Sequence, residues 1–152
     1  MRRAILIFCA CLTAMAQEHP PATCPVTKES DAFIPPQGYP RQPHVGSIFV
    51  GTPKLWTLVW LHDWQGRKLV WWNPRGDRET TSAPELTVSL RRLDAPAPPM
   101  TTERAHWAIA PHSPPFITTG VKSSPTAGCW EITGHTRDDQ VQYVVWLGPE
   151  TN

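Results

Sequence analysis

The chain lacks any marked net charge, and this absence excludes two classes of partner. Lys and Arg together number 14, against 13 Asp and Glu. Proteins that bind nucleic acid or adsorb to anionic membranes carry a surplus of basic residues on one surface. The sequence therefore predicts no nucleic-acid partner and no electrostatic attraction to a membrane.

The chain also lacks a hydrophobic run long enough to cross a bilayer. Its longest apolar stretch, Ala4 to Leu12, follows Met1-Arg2-Arg3 and precedes small residues at 14 and 16. A spanning helix needs roughly 20 residues. A basic start followed by a short apolar run and then small residues is typical of a cleaved export signal. We predict that residues 1–16 are a signal peptide. The mature protein then has no integral membrane segment and is secreted or periplasmic.

Cysteine is scarce, with four in 152 residues. Cys9 and Cys11 lie in the predicted signal, where lipid attachment is the alternative to cleavage, although Phe8 does not suit a lipidation motif. Cys24 and Cys129 remain in an oxidising compartment, which favours pairing over a free nucleophilic thiol. We predict a disulfide that fastens the start of the mature chain to a C-terminal hairpin.

Helical periodicity is absent as well. The chain has 18 prolines, and proline interrupts helices and central strands. Residues 17–45 combine Pro20-Pro21, Pro35-Pro36 and Pro40 with little apolar pattern, which predicts a proline-rich arm that is extended or partly disordered.

Short apolar runs separated by turns fill residues 46–152. Strict alternation in Leu86–Arg91 predicts a half-exposed strand, and Cys129–Gly134 with Val141–Leu147 predicts a terminal hairpin. We expect one all-β domain, a single β-sandwich that is immunoglobulin-like in outline. Cys24 precedes the first convincing strand, so its disulfide differs from the usual immunoglobulin core bond.

Several blocks together resemble an uncharacterised family of small secreted bacterial proteins. The blocks are Trp71-Trp72, Leu86-Thr87-Val88, Arg91 to Pro99, Gly128-Cys129-Trp130-Glu131-Ile132-Thr133-Gly134 and Val144-Val145-Trp146. The resemblance implies export and a bacterial envelope setting. It implies no activity, ligand or catalytic residue.

Familiar catalytic and metal-binding patterns are missing from the sequence. There is no Gly-x-Ser-x-Gly motif, and His106 and His112 are not spaced as zinc ligands. We therefore predict no metal and no other cofactor. Paired carboxylates are the remaining route to an enzyme, a secreted hydrolase. The candidate acids are Glu79, Glu85, Glu103 and Glu131. Strand alternation places Glu131 on the face opposite Trp130 and Ile132.

Tryptophan is the strongest surplus, with eight residues. Trp56 and Trp60 share one face of a predicted strand, whereas Trp71 and Trp72 point to opposite faces, so at least one of the latter pair is free to be exposed. We consider a patch of Trp64, Trp71 and Trp72 that binds a protein, peptide or carbohydrate, with core packing as the alternative. The sequence thus favours a non-enzymatic binding or envelope accessory module over a hydrolase.

The predicted maturation can be checked by mass spectrometry of the exported protein. We expect a chain that begins at Gln17 and contains no free thiol, because cleavage removes Cys9 and Cys11 and oxidation pairs Cys24 with Cys129. Two free thiols in the mature chain would contradict the disulfide.

Overall fold

The structure, a computed structural model, describes residues 19–40, 44–61, 68–74, 84–109 and 114–149. The predicted signal peptide lies outside these ranges. Within them, no helix has the length and apolarity needed to cross a membrane. A short 3-10 turn covers Glu29–Asp31. The strands are β1 Ser47–Gly51, β2 Trp56–Trp60, β3 Lys68–Trp72, β4 Thr87–Arg92, β5 Met100–Thr101, β6 His106–Ala108, β7 Phe116–Gly120, β8 Gly128–His135 and β9 Gln140–Leu147.

These strands form two antiparallel sheets that pack face to face. Sheet A has the order β1-β2-β3-β7-β6, and sheet B has the order β5-β4-β8-β9. With β2 to β9 taken as strands A, B, C, C′, D, E, F and G, the sheets have the A-B-E-D and C′-C-F-G orders of an immunoglobulin sandwich. The predicted all-β, immunoglobulin-like sandwich is therefore confirmed, and β1 is an additional strand beside β2.

A contact between Trp71 and Gly134 joins the centres of the two sheets. Trp71 on β3 is 0% exposed, and a methyl group added at Gly134 on β8 would overlap its ring. In an immunoglobulin domain the equivalent two strands are linked by the core disulfide. Here an indole fills the space between them, and the glycine allows its close approach.

A second apolar cluster covers the outer face of sheet A. Phe49, Trp56 and Trp72 form its buried part, and Phe33 and Tyr39 from the arm pack on it. Trp56 and Trp72 lie parallel, with ring centroids 6.4 Å apart. Neither Trp71 nor Trp72 is exposed, which agrees with the core-packing alternative. Both faces of β3 are covered, one by sheet B and the other by this second cluster.

The predicted disulfide between Cys24 and Cys129 is confirmed, with their Cα atoms 5.8 Å apart. Beyond it, the backbone N–H of Thr27 donates to the Val144 carbonyl at 3.0 Å, and that of Phe33 donates to the Phe49 carbonyl at 2.7 Å. The arm thus runs from β8 past β9 to β1. It crosses the open side of the sandwich and links the edge strands of both sheets.

The opposite side is closed by the chain itself as it passes from β5 to β6. The N–H of Thr102 donates to the Val88 carbonyl at 3.2 Å, and that of Glu103 donates to the Gly120 carbonyl at 2.7 Å. Since Val88 belongs to sheet B and Gly120 to sheet A, this short segment bonds to both sheets. Hydrogen bonds therefore cross the sandwich at both sides.

Replacing Gly134 by alanine tests the central contact. We expect Gly134→Ala to lower the free energy of unfolding by about 1–3 kcal/mol, because the added methyl group displaces Trp71 from a packed core. Gly148→Ala is the matched control, since a methyl group at Gly148 meets no atom within 4 Å. Urea unfolding followed by tryptophan fluorescence measures both. Equal stability of the two variants would contradict the assigned packing.

Candidate functional site

The candidate site lies on the side of the sandwich that the arm crosses. At one end of the gap between β1 and β9, the Thr52 hydroxyl donates to the Asp139 carboxylate. Near the other end, the N–H of Leu61 donates to the Gly46 carbonyl at 2.9 Å and extends the β1–β2 pairing beyond Ser47 and Trp60. The arm bonds to Val144 of β9, and beside this crossing the gap stays open.

A cavity of about 440 Å³ occupies this opening. Such a volume lies within the range of small-molecule sites, about 300 to 1,000 Å³. The arm forms one wall, β9 forms another, and Leu61 at the end of β2 contributes a third element. The cavity is lined by His19, Pro20, Val26, Thr27, Lys28, Glu29, Leu61, Val144, Val145, Trp146 and Gly148.

The lining combines apolar walls with a charged rim. Val26, Leu61 and Trp146 are partly buried and Val145 is buried, whereas Lys28 and Glu29 are exposed. Burial of apolar ligand surface against apolar walls favours binding, and the few polar groups at the mouth of a cavity orient the ligand. The cavity is therefore suited to a ligand with an apolar core and polar or charged ends.

Hydrogen bonds between Thr27 and Val144 fix the arm wall of the cavity. The Thr27 N–H donates to the Val144 carbonyl at 3.0 Å, and the Val144 N–H donates to the Thr27 hydroxyl oxygen at 2.9 Å. The disulfide holds the arm only three residues earlier, at Cys24. This wall is thus anchored both covalently and by the strand edge.

Two members of the predicted tryptophan patch are buried. Trp71 is 0% and Trp72 is 6% exposed, so neither offers a ring face to a ligand. Trp64 lies outside the described residues, three positions beyond Leu61. Among the described residues, Trp146 lines the cavity, and it was not among the predicted site residues. The predicted disulfide was the available signal, because it implies that residues just after Cys24 lie beside the terminal hairpin.

The candidate acid Glu131 lies on the outer face of sheet B, opposite Trp130 and Ile132 as expected. Its carboxylate accepts hydrogen bonds from Arg91 Nε at 2.9 Å and from the Gln142 side-chain amide. The side chain is 13% exposed. Within the described ranges its bonded partners are thus a cation and an amide, the environment of a structural ion pair.

Two of the other candidates, Glu85 and His106, are described, and they belong to different segments of the fold. Glu85 pairs with Arg137 at 3.1 Å, and Glu79 and His112 lie outside the described ranges. His106 lies on β6 opposite Thr118. The part of the chain that the structure describes contains no group of three or more metal-ligating side chains.

Two of the sequence blocks that carried the family resemblance meet at one corner of sheet B. Arg92 donates from Nε to Asp94 at 2.8 Å and from Nη1 to the Thr126 hydroxyl at 3.0 Å, and its guanidinium lies 6.0 Å from the Trp130 ring centroid. A methyl group at Gly128 would overlap this guanidinium. The hydrogen bond from Arg92 lowers the pKa of Asp94, burial opposes the shift, and the Cys129 backbone assists it. These blocks build a structural corner.

Comparison of the chain with family models, with curated proteins and with solved structures finds no match. The geometry of the described residues is therefore the basis for assigning a function.

The Asp94 corner gives a pH-dependent prediction. Because the folded pKa of Asp94 is lowered, its contribution to stability is present above the unfolded value of about 3.9 and is lost as pH falls through the folded value. We expect Asp94→Asn to reduce the free energy of unfolding at pH 7 by less than about 1 kcal/mol, since solvent screens this pair. Acid should abolish the difference between variant and parent.

Asp138→Asn is the control for this comparison, because it removes the same charge from an exposed residue of the β8–β9 turn. Urea unfolding at several pH values between about 3 and 7 gives the free energy of unfolding of the parent and both variants. A stability loss in Asp94→Asn that is equally large at low pH would contradict the carboxylate's role.

Proposed function

We propose that this protein is an exported, non-enzymatic β-sandwich module that binds a ligand in the cavity between its arm and β9. The observation that carries the proposal is the cavity itself, about 440 Å³ in volume with apolar walls and a charged rim. Its walls come from segments held by a disulfide and by strand hydrogen bonds. A site on such fixed elements needs little ordering when its ligand binds.

Export is supported by two independent features. The first sixteen residues have the order of an export signal, and the chain carries a buried disulfide between Cys24 and Cys129. Disulfides form and persist in oxidising compartments such as the periplasm and the extracellular space. We therefore place the mature protein outside the cytoplasm, where its arm is fastened to the sandwich.

Binding is favoured over catalysis by the side chains around the cavity. The apolar lining includes Val26, Leu61, Val145 and Trp146. The titratable lining residues His19, Lys28 and Glu29 are exposed, whereas a catalytic acid or base usually lies in a site that excludes water. Such a lining holds and orients a ligand, which is the function that we propose.

Filling the cavity from the arm tests the proposal. The probe is the amphiphilic dye 8-anilinonaphthalene-1-sulfonate, whose rings suit the apolar walls and whose sulfonate suits Lys28. We expect the dye's fluorescence to rise when it binds to the native protein. Its apparent affinity for Val26→Trp should be at least about tenfold lower, because the indole occupies the ligand's space.

Ile34→Trp is the matched control, since Ile34 lies on the same arm, is 77% exposed and is absent from the cavity lining. Its dye affinity should equal that of the native protein. Circular dichroism and urea unfolding establish that both variants are folded. Dye binding that is absent from the native protein, or that is unchanged in Val26→Trp, would contradict the cavity as the binding site.

A further inference from the structure

The alternation of hydrogen bonds along β9 shows which of its backbone groups face the cavity side. Both backbone groups of Val144 bond to Thr27 of the arm, so they point away from β8. On the other side of β8, the Cys129 carbonyl accepts from the N–H of Leu93 at 2.8 Å. Since Cys129 is opposite Trp146 and its backbone is turned to β4, this pair does not exchange bonds across β8 and β9.

It follows that the backbone N–H and carbonyl of Trp146 point outward from the sheet edge, like those of Val144 two residues earlier. Trp146 and Val144 both line the cavity. Within the described part of the chain, the backbone groups of Trp146 have no hydrogen-bond partner. An outward N–H and carbonyl on a strand edge are a template for pairing with another extended chain.

The arm itself does not continue the pairing toward Trp146. Pro25 has no N–H to donate, and the N–H of Val26 donates to the Cys24 carbonyl at 2.8 Å. Thr27 therefore makes an isolated pair with Val144. The edge groups of Trp146, beside the apolar cavity, are left for a different chain.

We propose that the ligand of this cavity is an extended peptide segment, which pairs through its main chain with Trp146 and inserts one apolar side chain against Leu61 and Val145. This inference rests on the proposed binding function and names its ligand class. Successive side chains of an extended peptide point to opposite sides. One side chain then enters the cavity, and its neighbours lie at the rim near Lys28 and Glu29, which suits a peptide with polar residues in alternate positions.

Main-chain pairing has a signature that other ligands lack. Successive N–H groups of an extended chain point to opposite sides, so only alternate amides of a bound peptide bond to the strand edge. The probe is the peptide acetyl-Thr-Val-Thr-Val-Thr-amide, compared with one analogue methylated on both valine nitrogens and another methylated on the central threonine nitrogen. Each methyl group removes a donor and leaves the side chains unchanged.

We expect the analogue that keeps the amides facing the edge of β9 to bind with an affinity similar to that of the parent peptide. The other analogue should bind at least about tenfold more weakly, since it loses hydrogen bonds to the edge. Titrations followed by ¹⁵N–¹H correlation spectra should shift the backbone amide of Trp146 and slow its hydrogen exchange. Ile34→Trp should bind like the native protein, and Val26→Trp should lose binding.

The outcomes separate this inference from the proposed function. Dye binding that is sensitive to Val26→Trp, without binding of the parent peptide or with equal effects of both methylations, would overturn the peptide assignment and leave the cavity as a small-molecule site. A native protein that binds neither the dye nor the parent peptide would overturn both proposals. Peptide binding that is unchanged in Val26→Trp would place the peptide elsewhere and overturn the peptide assignment, while the dye result alone decides whether the cavity binds a ligand.

Discussion

The covalent link between Cys24 and Cys129 is the constraint on which the arm, the second apolar cluster and the cavity depend. The described residues of the proline-rich arm form no strand, and ordering each residue costs about 1–2 kcal/mol in backbone entropy. The disulfide reduces this cost because it also keeps the arm close to the residues around Cys129 in the unfolded chain. For a loop of about 100 residues, the chain-entropy model gives a stabilisation of about 4–5 kcal/mol. Phe33 and Tyr39 can then cover sheet A.

This external position of the disulfide is linked to the composition of the core. An immunoglobulin-like sandwich needs a contact that joins the centres of its sheets, and Trp71 against Gly134 supplies it without sulfur. The surplus of tryptophan is also explained, because β3 is covered on both faces and accepts a large ring on each. Trp71 packs between the sheets, while Trp72 stacks with Trp56 beneath the arm. Structural demands therefore account for Trp71 and Trp72, two of the rings that first suggested a binding patch.

Local pattern predicted the sandwich, the terminal hairpin and the disulfide, because alternation and cysteine scarcity are visible residue by residue. It did not show that Trp72 is covered, since the rings packed against it, Phe49, Trp56 and Phe116, come from three other strands. The cavity was beyond prediction for a similar reason. Its walls combine Val26, Leu61 and Trp146 from three distant parts of the chain, and only the tertiary path of the arm brings them together.

The arm also resolves a conflict between protection and binding at the edge of β9. A long exposed strand edge invites uncontrolled pairing with other chains, and proteins usually cover or interrupt it. Thr27 covers this edge at Val144, and Pro25 then prevents the arm from extending the pairing. The outward groups of Trp146 stay accessible only beside a cavity with limited room. An edge restricted in this way selects short extended segments whose side chains fit, while the arm excludes the continuous pairing that leads to aggregation.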